Sequence, residues 1–377
     1  MIYLDYSANT PVAAEVLERF LQIEKNFMGN PNSSHQAGRA AQAEMAKVTD
    51  SIAQLLGVNP AEIIYTSGAS EANNLAIKGI AHSARQVGRH IISTPLEHSS
   101  VSGCLSSLQK QGYEIDLVGI ERDGTVNLED LKALMRKDTI LVAICSVDSE
   151  LGGIQPIAQI SEMLKAYPNC RLHVDATQAV GKAGVSFQGI DTLCFTGHKF
   201  YGLNGCGVLL KRKNLFIEPL IHGGTSTTIY RSGTPALALA AATETALEMA
   251  LREQNNRYEV VKGLNRKLRR ELEAYPSVRM NSPQNAVPHI LNLSVQGVKG
   301  TVFQSKLDEN GICVSVKSAC SAEGQLSQAV FALSQDRKNA LSSWRISLSH
   351  LTTEEEIQEF LRVFDHCYEK RTANNAT

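Results

Sequence analysis

Five short stretches place reactive side chains where apolar runs end. In "CFTGHKFYGLNGCG" (194–207) an apolar run gives way to Thr196, Gly197, His198 and Lys199 before a glycine-rich turn. "HVDATQ" sets Asp175 at the close of another apolar run, and "LEHSS" sets His98 just after a third. In "YTSGASEANN", Gly68, Ala69 and Ser70 lie between a short apolar strand and a helical stretch. Backbone N–H groups and a hydroxyl there form a ready anion site, suited to phosphate. Cys320, in "SVKSACSAEGQLSQ", follows a strand and opens a small, polar stretch, a setting that favours a reactive thiol. Taken singly, each residue has a plain structural role: a solvated lysine, a capping aspartate, a packed histidine, a tight turn.

The elements that must position these residues alternate along the chain. Met45, Val48, Ile52, Leu55 and Leu56 recur at helical spacing, and Gly57 suits the C′ position. "EIIYTSG", "HIIST", "TILVAICSV", "RLHVDAT", "DTLCFTGH" and "GCGVLLKR" are predicted strands. "NLEDLKALMRK", with Asn127 as N-cap, and "PIAQISEMLKAY", opened by Pro156, are predicted helices. This alternation predicts an α/β core with a mostly parallel sheet. After about residue 235 come two long helical runs, "PALALAAATETALEMALREQ" and "NRYEVVKGLNRKLRREL". Strands "HILNLSVQG", "ICVSV" and "SWRISLS" follow, then a last helix opened by the capping box Thr352-x-x-Glu355. A second, smaller α/β domain is expected there.

The bulk numbers exclude several functions. The 377 residues carry a formal net charge of −1 and no strong basic run, which gives no reason to expect nucleic-acid binding. No apolar stretch approaches the roughly 18 residues of a membrane span, and the N-terminus lacks the pattern of a signal peptide. Eight scattered cysteines, no two at CxxC spacing, indicate neither a zinc site nor a disulfide framework. A reducing, cytoplasmic compartment is expected.

In an open α/β sheet, ligands gather beyond the carboxyl ends of the strands. A phosphate cradle, an aromatic ring, a carboxylate and a lysine all fall at strand ends here. Pyridoxal 5′-phosphate (PLP) uses all four. Its phosphate takes a helix N-terminus, its ring a stacking partner, its pyridine nitrogen a carboxylate and its aldehyde a lysine amine.

With these residues together, the chain resembles the NifS/IscS cysteine desulfurases of the class V aminotransferase family. The motifs run from "YLDYSANTPV" through "GNPNSSHQAGR", "TSGASEANNLAIKG", "EHSSV", "HVDATQAVGK", "TGHKFYG", "HGG", "YRSGTP" and "SACSA" to "RISLSHLTTEEEI". The resemblance implies a fold-type-I PLP-dependent transferase: a large domain with a mostly parallel seven-stranded sheet, and a smaller α/β C-terminal domain. Residues 1–14 would associate with the small domain, 15–250 form the large one and 251–377 the small one. Lys199 would hold PLP, and His98 would stack on the ring and move protons. Asp175 would pair with the pyridinium and Gln178 with the phenolic oxygen. Ala69, Ser70, Thr196 and His198 would bind phosphate, joined by Thr234 across a homodimer interface. Arg345 would clamp the substrate carboxylate through its bidentate fork, and Cys320 would take the sulfur of L-cysteine as a persulfide, leaving L-alanine. A sulfur-acceptor protein, in iron–sulfur cluster assembly or in tRNA or cofactor thiolation, would then receive it.

Departures bear on that reading. Asp148, Ser149 and Glu150 stand where the family usually has Asn-Asn-Glu, and Ser149 replaces a residue expected at the cofactor oxygen and substrate carboxylate. After "HGG" the family's Gly-Gln-Glu is replaced by "TSTTIY", and the tail that related enzymes use to hold a scaffold protein is not found after the last helix. Two alternatives stand beside the desulfurase. One is a related PLP enzyme, such as a selenocysteine lyase or a cysteine/cystine C–S lyase; the other is a non-enzymatic scaffold.

Overall fold

The computed structural model describes residues 1–316 and 326–373. Its centre is a seven-stranded sheet in the order 63–66, 207–211, 192–196, 171–175, 139–145, 90–93, 114–117. All neighbours are parallel except Gly207–Lys211, which runs antiparallel to both Ile63–Thr66 and Thr192–Thr196. Every residue of Thr139–Cys145 is buried, as expected of a strand covered on both faces.

Side-chain alternation divides the strands between two layers. Ile92, Val142 and Ile144 pack toward the helices Ala14–Asn26, Gln36–Leu56 and the first half of Leu237–Leu272. Ile91, Leu141 and Ala143 pack on the other side against Ala69–Ser83 and Ser99–Gln109. The sheet is thus held between helices, and its strand ends open at one rim.

A separate core gathers Leu4, Val261, Leu268, Leu291, Phe303, Trp344 and Phe364 around a three-stranded antiparallel sheet, 343–347, 290–295, 278–280. Trp344 is fully buried and stacks on Phe303 at 5.4 Å. The N-terminal strand Ile2–Tyr3 pairs in parallel with Ile312–Cys313, and Asp5 bridges Ser347. This carries the first residues of the chain beside some of the last.

Two sequence expectations are corrected. The two helical runs after residue 235 form one 36-residue helix, Leu237–Leu272. Asn255 and Asn256 at the junction are exposed, and no proline interrupts the segment; its one glycine, Gly263, lies inside the second run, away from the junction. Its first half packs in the large core and its second half in the small one, and the predicted boundary at 250 falls inside it. The last helix, Glu354–Ala373, is capped one residue later than predicted: Thr353 Oγ1 accepts from Glu356 N, and Glu356 Oε2 accepts from Thr353 N. The Thr352 hydroxyl is taken by the Ser349 N–H instead.

The remaining predicted caps match. Asn127 Oδ1 accepts from Asp130 N at 2.8 Å, and Gly57 closes its helix at φ 65°, a conformation that glycine adopts at no steric cost.

Candidate active site

A cavity of about 380 Å³ opens at the carboxyl ends of the central strands. Ala69, Ser70, His98, Ser149, Asp175, Gln178, Thr196, His198, Lys199 and Arg345 all line it. Residues from six separate stretches are thereby brought to one place. Thr234 is exposed and lies outside the lining of this cavity. Cys320 lies outside the described residues.

Lys199 ends the 3₁₀ turn Gly197–Lys199, directly after strand Thr192–Thr196. The turn is tight: Phe200 N and Gly202 N both donate to Gly197 O. Tyr201, two residues on, has φ 70°, an unusual value for a side chain of its size. Its backbone N donates to Thr10 Oγ1 at 2.7 Å, and Arg257 stacks on its ring, so the surroundings hold the strain beside the lysine. Lys199 Nζ itself donates to Ser7 O at 2.9 Å and Ala8 O at 2.6 Å.

The anion site is built from a turn and a helix start. Gly207 runs so close to it that a Cβ there would lie 2.4 Å from the Gly68 carbonyl carbon. The first-turn N–H groups of Ala69–Ser83 have no intrahelical acceptor by construction. Glu71 does not compete with an anion there. One of its oxygens accepts from Ser67 N and the other from Arg231 Nε. Burial works to raise its pKa, but those hydrogen bonds prevail and hold it below the usual range. Thr196 Oγ1 and His198 Nδ1, 3.1 Å apart, complete this end. Burial, reinforced by Lys199, pushes His198 down to about 4.

Asp175 closes strand Arg171–Asp175 and is 5% exposed. Its oxygens accept from Thr177 N (2.9 Å) and Asn73 Nδ2 (2.8 Å). Among the described residues it forms no salt bridge. A buried carboxylate facing a cavity with no cation against it calls for a positive partner.

His98 caps the helix Ser99–Gln109, its Nδ1 accepting from Ser100 N at 3.1 Å. The ring proton is therefore on Nε2. Burial lowers its pKa, partly offset by Asp175.

Gln178 Nε2 donates to Ser7 O, and its Oε1 accepts from Lys182 Nζ at 2.5 Å. Burial, then the charges of Lys199 and Arg345, push Lys182 down to about 7. Arg345 is 1% exposed on strand Ser343–Ser347. Its guanidinium pairs with Asp5 Oδ1 (2.8 Å) and donates to Ser149 O (2.7 Å), while the buried Nε has no hydrogen-bond partner among the described residues. Ser315 steadies Asp5 through its other oxygen at 2.8 Å. Asp148, fully buried, caps the turn 149–151 with its carboxylate and is pushed up to about 7 by burial and Glu150.

Sequence reasoning passed over Asp5, Asn73, Ser100 and Lys182. Each stands inside a quoted motif, but its task depends on a partner in another element. Asp5 and Arg345 are 340 positions apart.

The residues fit PLP: a helix start for phosphate, a carboxylate without a cation for the ring nitrogen, an amine at Lys199 and an imidazole at His98. Ser7 Oγ and Thr177 Oγ1, both in the cavity wall, are buried and have no hydrogen-bond partner among the described residues, so the wall has polar capacity to spare.

An open α/β sheet bearing this lysine, carboxylate and helix start at its strand ends defines a cofactor-binding enzyme fold. The chain belongs to the aminotransferase class-V family, whose model matches residues 2–360. It is 37% identical over 375 residues to a NifS/IcsS protein homolog of Lactobacillus delbrueckii subsp. bulgaricus, covering 98% of this chain and 97% of that protein. It is 37% identical over 374 residues to the cysteine desulfurase IscS of Dictyoglomus turgidum, covering 98% and 95%. A solved NifS-like protein superposes with a TM-score of 0.90 at 33% identity, covering 97% and 98%.

Proposed function

We propose that this protein is a PLP-dependent cysteine desulfurase that converts L-cysteine to L-alanine and moves the sulfur onto Cys320 as a persulfide. The observation that carries the reading is one cavity holding Lys199, an Asp175 carboxylate without a cation, and a buried Arg345. The printed names of the relatives agree with it.

When bound, PLP supplies an electron sink for the pair released at the substrate Cα. Lys199 Nζ would hold it covalently, with Asp175 at the ring nitrogen, Gln178 at the phenolic oxygen, and Ala69, Ser70, Thr196 and His198 at the phosphate. Arg345, fixed by Asp5 and the Ser149 carbonyl, binds the substrate carboxylate. Lys199 Nζ and His98 Nε2 move the protons. The Cys320 thiolate attacks the sulfur of L-cysteine. An S–S bond forms, the Cβ–S bond breaks, and its electron pair stays on carbon, where protonation completes alanine. Enzyme thiol and L-cysteine thus become enzyme persulfide and L-alanine with no outside oxidant. A sulfur-acceptor protein, serving iron–sulfur cluster assembly or thiolation, then takes the sulfur. The seven described cysteines are free thiols, which suits the cytoplasm. No helix among the described residues is long and apolar enough to cross a membrane.

Incubation with L-cysteine and PLP tests the reading by its products. Alanine together with a protein persulfide is expected. Pyruvate and ammonia in place of alanine would make the enzyme a C–S lyase.

The active unit is a homodimer in which Thr234 of each chain reaches the other's phosphate. Exposed Ile221 and Ile229 on the same loop support an apolar contact there. Sedimentation is expected to give twice the chain mass; a monomer with full PLP affinity would contradict the shared site.

Ser149 should limit substrate handling. Its carbonyl meets Arg345, but its side chain is a short hydroxyl with no amide donor to offer a carboxylate. A hydrogen bond to a charged group contributes about 1.5–3 kcal/mol. Ser149→Asn is expected to raise kcat/KM for L-cysteine by roughly tenfold or more, without changing PLP affinity. An unchanged kcat/KM would show that position 149 does not contact the substrate.

A further inference from the structure

Asn73 sits behind the cavity wall, fully buried on the helix Ala69–Ser83. Both hydrogens of its Nδ2 are used, one on Asp175 Oδ2 at 2.8 Å and one on Ser100 Oγ at 2.9 Å. Ser100 Oγ lies 2.8 Å from His98 Nδ1. The Oδ1 of Asn73 lies 2.8 Å from His173 Nε2 and 2.9 Å from Cys194 Sγ. His173, two residues before Asp175 on the same strand and fully buried, meets Thr192 Oγ1 through Nδ1 at 2.9 Å.

These contacts determine where the protons are. An ionised carboxylate only accepts, so the amide must turn Nδ2 toward Asp175. The flipped amide would set two acceptors against each other. Oδ1 therefore faces His173, whose Nε2 must carry the hydrogen, while Nδ1 accepts from the Thr192 hydroxyl. Burial pushes His173 well below the ordinary imidazole range, so the ring is neutral.

We propose that Asn73 is a positioning residue that holds the Asp175 carboxylate and, through Ser100, the His98 imidazole as one unit, and that His173, locked as a single neutral tautomer between Thr192 and Asn73, fixes the direction of the Asn73 amide. Its effect on the cofactor rests on the PLP reading above; the locked network itself does not. Asn73 does not line the cavity. It acts by keeping the counter-charge for the ring nitrogen and the imidazole in register.

The test has two arms. In the full chain without PLP, ¹⁵N-histidine NMR is expected to show His173 neutral, with its proton on Nε2, at pH 7. Asn73→Leu should convert it to a tautomer mixture. A His173 that carries its proton on Nδ1, or is charged at pH 7, overturns the proposal whatever cofactor the protein uses. In the PLP-loaded protein, His173→Leu should shift the pH at which the near-visible absorption band changes by about one unit or more, because the ring nitrogen loses a fixed counter-charge. His173→Gln, whose amide can donate from the Nε2 position, should restore the wild-type transition. If the loaded Leu and Gln variants titrate alike, the positioning role is wrong. Should Asn73→Leu fail to fold, the wild-type tautomer and the His173 pair still decide. A wild type that binds no PLP would sink the cofactor reading while leaving the NMR arm to judge the network.

Discussion

Lys199→Ala is expected to abolish the covalent hold on PLP and to lower kcat by about 10³ or more, the scale of losing a group that both attaches the cofactor and moves protons. Borohydride reduction followed by peptide mapping reads this directly. In the wild type the modified peptide should contain Lys199; in the variant no peptide should be modified. The sharp competitor is Lys182. With its pKa pushed down to about 7, it is partly a free amine at neutral pH and would be the better nucleophile in solution. Geometry decides against it: Lys182 does not line the cavity, and its Nζ is spent on Gln178 Oε1 at 2.5 Å. Lys199 does line the cavity, with its Nζ held by the Ser7 and Ala8 carbonyls. A reduced peptide carrying Lys182, in either protein, would overturn the assignment.

Much of this site was legible because strand ends are legible. A run such as "TILVAIC" is buried on both faces and must stop where the chain turns. Polar residues just past several such stops therefore converge on one rim of the sheet. Lys199, Asp175 and His98 could be found this way, and so could the small-residue turn before Ala69. The partners that fix their directions could not. Asn73 reads as one more helix residue, and its role exists only because strand residues Asp175 and His173 come within 2.8 Å of its amide. The Asp5–Arg345 pair depends on the N-terminal strand docking beside the last one, a contact with no periodicity to announce it. The long helix was misjudged for a related reason. Its sequence reads as two runs meeting at the polar Asn255 and Asn256, yet it is one helix bridging two cores that each bury one half. Local pattern places elements; which side chains meet across them is a property of the packing.

Cys320→Ser is expected to keep PLP, to answer L-cysteine with a change in absorption, and to lose catalytic sulfur transfer. The separation follows from which residues serve which step. On the proposed reading, binding the substrate carboxylate uses Arg345, and proton movement uses Lys199 and His98. All three line the described cavity, so their tasks survive the substitution. Breaking the Cβ–S bond by attack on sulfur needs a thiolate, and a serine hydroxyl neither ionises at neutral pH nor forms a persulfide. The other cysteines are poor substitutes. Cys145, the one described cysteine in the cavity wall, is buried, and burial together with Glu97 raises its pKa well above the ordinary thiol value. It is held as a thiol and should not take over. The residues that flank Cys320 in sequence (Ser318, Ala319, Ser321, Ala322 and Gly324) are small. Mass spectrometry after L-cysteine should therefore find a 32-Da addition, one sulfur atom, on the wild-type peptide containing Cys320 and on no peptide of the variant, with the rate of alanine release down by about 10² or more. Wild-type rates of alanine and sulfide release from the serine variant would mean that no protein thiol takes part, and the transfer of sulfur onto Cys320 would be overturned.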